Sequence, residues 1–323
     1  MFSFIFAFIF FFSYASFSYS QMYAEFGRRP VISIDSIDGR VRVNSIDQNN
    51  PLDSILSFEA ETGNFVNASS VSSDNLGNIY ILDKGSNEIY KLNSSLLIVK
   101  RNGKQGWREG ELDSPTSIDA TTSLDIFVTD GNNRRVQRFD RNLNFVSYLA
   151  TDLKTFKNEF QFKTPLASVI LNSNDIFVVD GDNNRVVVYK DGLNPVNSFG
   201  DYQSGNGQLS KPSKIVKDNN NNIYILDRGS NSVKRYDSFG TYFSELKIDT
   251  IISISVFEKN LYILTGDGIY CFDSDKNAYT ARINLPEAIN KNLISGFHSL
   301  NNNRFIILYK NKMTLWKLSP GNQ

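Results

Sequence analysis

One histidine and one cysteine in 323 residues exclude much metal and thiol chemistry at the outset. A three-histidine zinc site cannot be built from His298 alone, nor can a histidine pair for proton transfer. Cys271 has no second cysteine, so no internal disulfide forms. Its neighbours Ile269, Tyr270 and Phe272 read as a strand, which makes it a buried, inert thiol. Charge of neither sign is in excess. The 34 Lys and Arg balance 34 Asp and Glu with no basic block, which argues against nucleic acid as a main partner. No Ser-His-Asp or Gly-x-Ser-x-Gly nucleophile pattern appears, and no phosphate-cradling glycine loop opens a helix. Beyond residue 20, helical periodicity is absent and no stretch is apolar enough to span a membrane.

The first 20 residues carry no charged side chain and eight phenylalanines. An apolar block over 2–12 is followed by Ser, Tyr and Ala, the order of a secretory signal peptide. Ser20 and Ser18 stand one and three residues before a cut at Gln21. No Lys or Arg precedes the block. An uncleaved anchor is the alternative, but the apolar stretch is well short of the roughly 20 residues a spanning helix needs. The expectation is an exported protein, periplasmic, cell-surface or secreted, with no integral span once the signal is removed.

A phrase recurs beyond that segment. It ends on Asp83, Asp130, Asp180 and Asp227, at spacings of 47, 50 and 47, and reads as a short β-branched and aromatic run before each Asp. Six residues on, Ile89, Val136, Val186 and Val233 each open a second apolar run. A fixed period of this size marks a repeat architecture. Continuous apolar runs fit strands buried on both faces, and the intervening turns are rich in Gly, Asn, Asp and Ser. In one unit, strands are predicted from 115, over 125–129, over 135–139 and over 144–149. Four short strands per repeat, stacked around an axis, make a β-propeller. Two degenerate units follow, with second strands over 261–265 and 305–309, where Thr265 replaces the Asp. The expected fold is therefore an all-β, six-bladed propeller of four-stranded blades. The last unit lacks a fourth strand, and 54–59 is expected to supply it and close the ring. The domains read as a signal over 1–20, an extension over 21–50, the propeller over 51–318 and a tail over 319–323. Within the extension, two alternating segments around Asp38 and Gly39 predict an accessory hairpin.

The turns support a family resemblance. Asp130, Asn133, Arg135 and Val136 match the pattern Asp-x-x-Asn-x-Arg-Val of NHL repeats, as do Asp180, Asn183, Arg185 and Val186. The units at Asp83 and Asp227 depart from it, with Ser86 and Glu88 in one and Ser230 and Ser232 in the other. A Gly, then Glu or Gln, an apolar residue and Pro precede several first strands, as at Gly110 to Pro115 and Gly207 to Pro212. The chain resembles a secreted, bacterial NHL-repeat protein over about 54–318. The resemblance implies six blades. It does not transfer a function, because the family's functions are diverse.

The recurring Asp residues are expected to serve the blade, by accepting backbone N–H bonds. No catalytic residue, metal ligand set or cofactor is expected. Gluconolactonase-like propellers bind a divalent metal through oxygen ligands, and Asp119 could face the channel, but one carboxylate makes no site. His298 falls in an expected channel-lining strand, with a structural role as its plain reading. The loops offer a different surface. Trp107, Arg108, Tyr202, Lys84, Arg134 and Arg228 lie in linkers and turns expected to emerge on one face, and aromatic and Arg residues dominate protein interfaces. Packing of Trp107 over a neighbouring linker is the structural alternative. The leading expectation is a scaffold that binds a protein partner, with an envelope polymer or glycan as the second candidate. The alternative is a small-ligand or metal-dependent hydrolase or lyase acting in the channel.

Overall fold

The structure, a computed structural model, describes residues 34–37, 40–43, 54–122, 124–150, 161–192 and 194–319. The predicted signal over 1–20, its cleavage site and residues 320–323 of the predicted tail lie outside the described residues, while Ser319, expected in that tail, ends the last strand. Three strands come first: β1 (Ile34–Ile37), β2 (Arg40–Val43) and β3 (Ser54–Gly63). Then the repeat begins. One four-stranded antiparallel unit holds β4 (Ala68–Ser73), β5 (Ile79–Asp83), β6 (Glu88–Leu92) and β7 (Ile98–Asn102). The next holds β8 (Pro115–Asp119), β9 (Asp125–Asp130), β10 (Arg135–Asp140) and β11 (Phe145–Ala150). A third holds β12 (Pro165–Ile170), β13 (Ile176–Asp180), β14 (Arg185–Lys190) and β15 (Asn194–Phe199).

The fourth unit holds β16 (Pro212–Lys217), β17 (Ile223–Asp227), β18 (Ser232–Tyr236) and β19 (Tyr242–Lys247). It is extended at its outer edge. β2 runs parallel to β19, with Leu246 opposite Val41, and β1 pairs antiparallel with β2. The remaining strands are β20 (Ile251–Phe257), β21 (Asn260–Thr265), β22 (Gly268–Asp273), β23 (Ala278–Asn284), β24 (Ile294–Asn301), β25 (Arg304–Tyr309) and β26 (Lys312–Ser319). They form one eight-stranded sheet with β3, in the order β20-β21-β22-β23-β3-β26-β25-β24. β3 pairs antiparallel with β26 over its whole length, from Ser319 opposite Ile55 to Lys312 opposite Gly63. The junction with β23 is a short parallel contact at Ile283 and Ser54. The architecture is an all-β propeller of four separate blades and this joined sheet. First strands β4, β8, β12, β16, β20 and β24 neighbour one another in turn around the axis, and β24 returns against β4.

Burial explains the sequence pattern. All five residues of β5, β13 and β17 are buried, because each second strand is covered on both faces by adjacent units. Tyr80 and Ile118 meet in one such interface, Phe177 and Tyr236 in another, and Phe297 and Trp316 in a third. Each fully buried side chain of this size contributes about 1.5–3 kcal/mol. The inner strands leave edge N–H groups facing their neighbours. Side chains from the preceding strand cap them: Ser70 and Ser72 Oγ accept from Ile118 and Ala120 N–H, Asp119 from Ile170 and Ser255 from Ser299. Otherwise these buried donors would be left unsatisfied.

Candidate functional site

Each repeated Asp ties a turn to the linker that enters its blade. The Asp83 carboxylate accepts from Val66 N at 2.7 Å and Asn67 N at 2.8 Å, and from Gly85 N in its own turn. Asp227 accepts from Ser210 N, Lys211 N and Gly229 N and from the Ser230 hydroxyl. Where the pattern is full, the third strand joins in. Asp130 accepts from Asp113 N at 2.7 Å, Asn133 Nδ2 at 2.9 Å, Arg135 Nε at 2.9 Å and Gln137 Nε2 at 3.1 Å. Asp180 accepts from Lys163 and Thr164 N, from Asn183 Nδ2 at 2.6 Å and from Arg185 Nε at 3.4 Å. All four Asp residues are fully buried. These bonds bring the turns after second strands and the entering linkers to one end of the propeller, the loop face. The fourth residue after each Asp is left-handed, at Asn87, Arg134, Asn184 and Asn231. Asn suits that conformation better than Arg does.

On this face the linker carrying Trp107 is clamped from beneath. Arg135 donates to the carbonyls of Trp107, Arg108 and Glu111, at 2.8–2.9 Å, and Gln137 also reaches Glu111 O. The indole itself is 74% exposed, so it does not pack over a neighbouring linker, and the Arg108 guanidinium lies 5.9 Å from its ring centre. The linker carrying Tyr202 is pinned from the equivalent strand of its own blade, by Lys234 to Asn206 O and Tyr236 OH to Gly207 O. Tyr202 is 77% exposed. Lys84 and Arg134 are exposed in their turns. Trp107 and Tyr202 stand two linkers apart around the ring. Arg228 differs from this set in its partners: the residue is exposed, and its guanidinium donates to the carbonyls of Ile251 and Ile252 at the channel mouth.

A cavity of about 200 Å³ opens there, lined by the first residues of β4, β8, β16, β20 and β24 together with Ala167, Leu226 and Arg228. Lys214 reaches into it and donates from Nζ to Ser253 Oγ and Phe297 O, both at 3.2 Å. Burial, and then the Arg228 charge, push this ammonium down to about 8. Deeper, His298 Nε2 lies 2.7 Å from Ser73 Oγ and Nδ1 lies 3.4 Å from Ser255 Oγ. Burial, reinforced by Lys214, holds His298 down at about 3, so the ring is neutral and has hydroxyl partners only. Asp119 is committed to Thr121 and to Ile170 N–H. Among the described residues no three His, Cys, Asp or Glu side chains cluster as metal ligands would. Cys271 is buried, and burial pushes its thiol up, away from reactivity.

The His298 shift sets an acid limit. A folded value near 3 against the ordinary 6.5 means that the unfolded chain takes the proton first as pH falls. This contribution is complete above about pH 6.5 and is lost down to about pH 3. Its size is on the order of 3–5 kcal/mol. The melting temperature of the wild type should therefore fall more steeply over that window than that of His298→Asn; parallel profiles would refute the assignment.

Two features escape the repeat reading. Lys214 is one; nothing in its neighbours signals that it points inward. The other is a second recurrent Asp at the opposite end. Asp74 accepts from Asn78 N and Nδ2 and from Tyr80 OH, and Asp218 does the same with Asn222 and Tyr224. The spacing Asp-x-x-x-Asn-x-Tyr was available as its signal. It explains the Asn-rich run 219–222 as hairpin chemistry.

No family profile matches the sequence, and no curated protein does. Solved structures do match the fold. A streptogramin B lyase superposes with a TM-score of 0.60 at 12% identity, over 84% of this chain and 100% of the other. A catalytically inactive histidine-to-alanine variant of virginiamycin B lyase from Staphylococcus aureus, with quinupristin, gives 0.57 at 12% identity over 82% and 100%. Selenomethionine-substituted virginiamycin B lyase from the same organism gives 0.58 at 12% identity over the same shares. At this identity the likeness is one of fold: the chain is similar to these lyases in being a β-propeller.

Proposed function

We propose that this chain is an exported propeller scaffold that binds a protein partner through its loop face. The observation that carries the reading is the pair Trp107 and Tyr202. Both are about three-quarters exposed, on linkers whose backbones are held from below by Arg135 and by Lys234 and Tyr236. A large aromatic on a fixed backbone loses little freedom on binding, which is what interface anchors require. Arg108, Lys84 and Arg134 add exposed positive charge to this face, beside exposed acidic groups such as Glu109 and Asp182, so the partner surface is apolar with charge of both signs at its rim. Export rests on residues 1–20, with a mature chain beginning at Gln21. In the same reading the eight-stranded sheet counts as two blades, giving six in the ring, and the turns at Asp130 and Asp180 support a likeness to NHL repeats.

Combined Ala substitution at Trp107 and Tyr202 should abolish retention of the partner from envelope and secreted fractions, with the melting temperature unchanged. Undiminished retention by the double variant would overturn the face assignment. The alternative, a hydrolase or lyase in the channel, has the lyase neighbours on its side. Against it stand His298, whose lowered pKa makes its neutral imidazole a weak base, and Asp119, whose carboxylate is committed to Thr121 and to Ile170 N–H.

A further inference from the structure

The channel mouth holds two cations that neither the blade repeat nor the loop-face reading uses. Lys214 occupies a position that recurs in every inner strand, just past the bulge that opens it. The equivalents are Ser70, Ser117, Ala167, Ser253 and Gly296, paired with Leu82, Thr129, Val179, Leu264 and Leu308 as Lys214 is with Leu226. Five are small, and their smallness leaves the cavity open. The sixth sends a four-carbon stem and an ammonium into it. A buried ammonium is costly without a counter-charge, yet Lys214 has only a hydroxyl and a carbonyl as acceptors. Among the described residues no carboxylate lines the cavity, and a second cation, Arg228, does.

We propose that this axial cavity is a binding site for a small oxyanion, a carboxylate or phosphate group, held between Lys214 and Arg228. Three observations agree on the occupant. Lys214 Nζ has three donors, of which two are used, and the guanidinium has five, of which the carbonyls of Ile251 and Ile252 fix two. Those carbonyls hold the guanidinium in place ahead of a ligand. The hydroxyls supply further donors: Ser70 and Ser253 accept with a lone pair, from Ile118 N and from Lys214, so their protons remain to be given. Finally, about 200 Å³ admits an inorganic anion or short carboxylate and excludes a drug-sized ligand, whose pockets run to roughly 300 Å³ and above.

The charges facing Lys214 are few. Arg228 is on its own blade, and His298 on β24 is neutral. Asp119 on β8 lies deeper, near Lys217. β12 and β20 carry no titratable side chain, and Asp180 and Asp227 turn to the linkers. An anion in the cavity should thus follow the protonation of Lys214.

The test is calorimetric titration of the full chain from Gln21 with inorganic phosphate, sulfate and acetate, each against chloride at matched ionic strength. Saturable binding of at least one oxyanion is expected at pH 6.5, weakened about tenfold or more at pH 9.5. Acetate alone, or phosphate and sulfate, distinguishes the two ligand classes. Arg228→Gln and Lys214→Met should each weaken it about tenfold or more, the loss of one charge-assisted bond. The Trp107 and Tyr202 double variant should bind as the wild type does, which separates this site from the loop face. If no oxyanion binds above chloride, the proposal fails. It fails equally if the folded Arg228→Gln protein binds with wild-type affinity, since the anion then sits elsewhere.

Discussion

Deleting residues 51–60 should lower the melting temperature by about 10 °C or more, or abolish the cooperative transition. The deletion removes most of β3, the outer strand of the ladder that ends in β26. Leu56, 2% exposed, leaves a cluster that includes Ile269, Ile283, Phe297 and Trp316. The bidentate pair of Glu59 with Arg304, at 2.9 Å for both bonds, goes too. So does the contact with β23 that joins the two halves of the sheet. One buried leucine is worth about 2 kcal/mol and the lost ladder more, so a total on the order of 5 kcal/mol is a modest expectation. For a domain of this size each kcal/mol moves the transition by about 2–4 °C. The exposed edge of β26 would also invite association. Scanning calorimetry of the truncated chain decides the matter, and a transition within about 2 °C of wild type would show that β3 is an ornament on a ring that stands without it.

Asp130→Asn should cost about 3–5 kcal/mol, the range for leaving one partner of a buried ion pair alone. The carboxylate is fully buried and meets Arg135 at 2.9 Å, with Gln137 and Asn133 on the same oxygen. Asn keeps the shape and removes the charge. Arg135, whose side chain is 8% exposed, is then a cation with no counter-charge, left to the linker carbonyls and the Tyr148 ring. Asp227→Asn should cost less, about 1–3 kcal/mol, because its partners are neutral N–H and hydroxyl groups. Denaturant unfolding of the two variants side by side measures the ordering. Equal losses would mean that the ion pair adds nothing to backbone capping. Pairing Asp130→Asn with Arg135→Met should recover part of the loss, which a double-mutant cycle reads directly.

The blade pattern was legible because each second strand is buried on both faces, so its composition is constrained at every position. The Asp and Arg of the turn were legible for the same reason: Arg135 holds three linker carbonyls, and no other side chain forks that way. Arg228 was not. Its turn reads like any other, and what engages the guanidinium is the pair of carbonyls at Ile251 and Ile252, contributed by β20. Lys214 was hidden likewise. Whether a residue faces the axis depends on the bulge after Pro212, a shift of one position that alternation cannot reveal. Trp107 read equally well as packed or free, and only the clamp beneath its linker decides for exposure.

The way β3 meets β26 also fixes how the molecule responds to force. Ser319 lies opposite Ile55, and the two strands are antiparallel. Tension applied between the start of β3 and the end of β26 therefore loads the bonds of this ladder singly, from that end inward, as a zipper opens. Strands pulled in shear share the load; these do not. The seam that joins the two ends of the ring withstands heat through the sum of its contacts, but a pull must defeat only one pair at a time. A propeller tethered at the start of β3 and tugged at the end of β26 would open here before any blade unfolds.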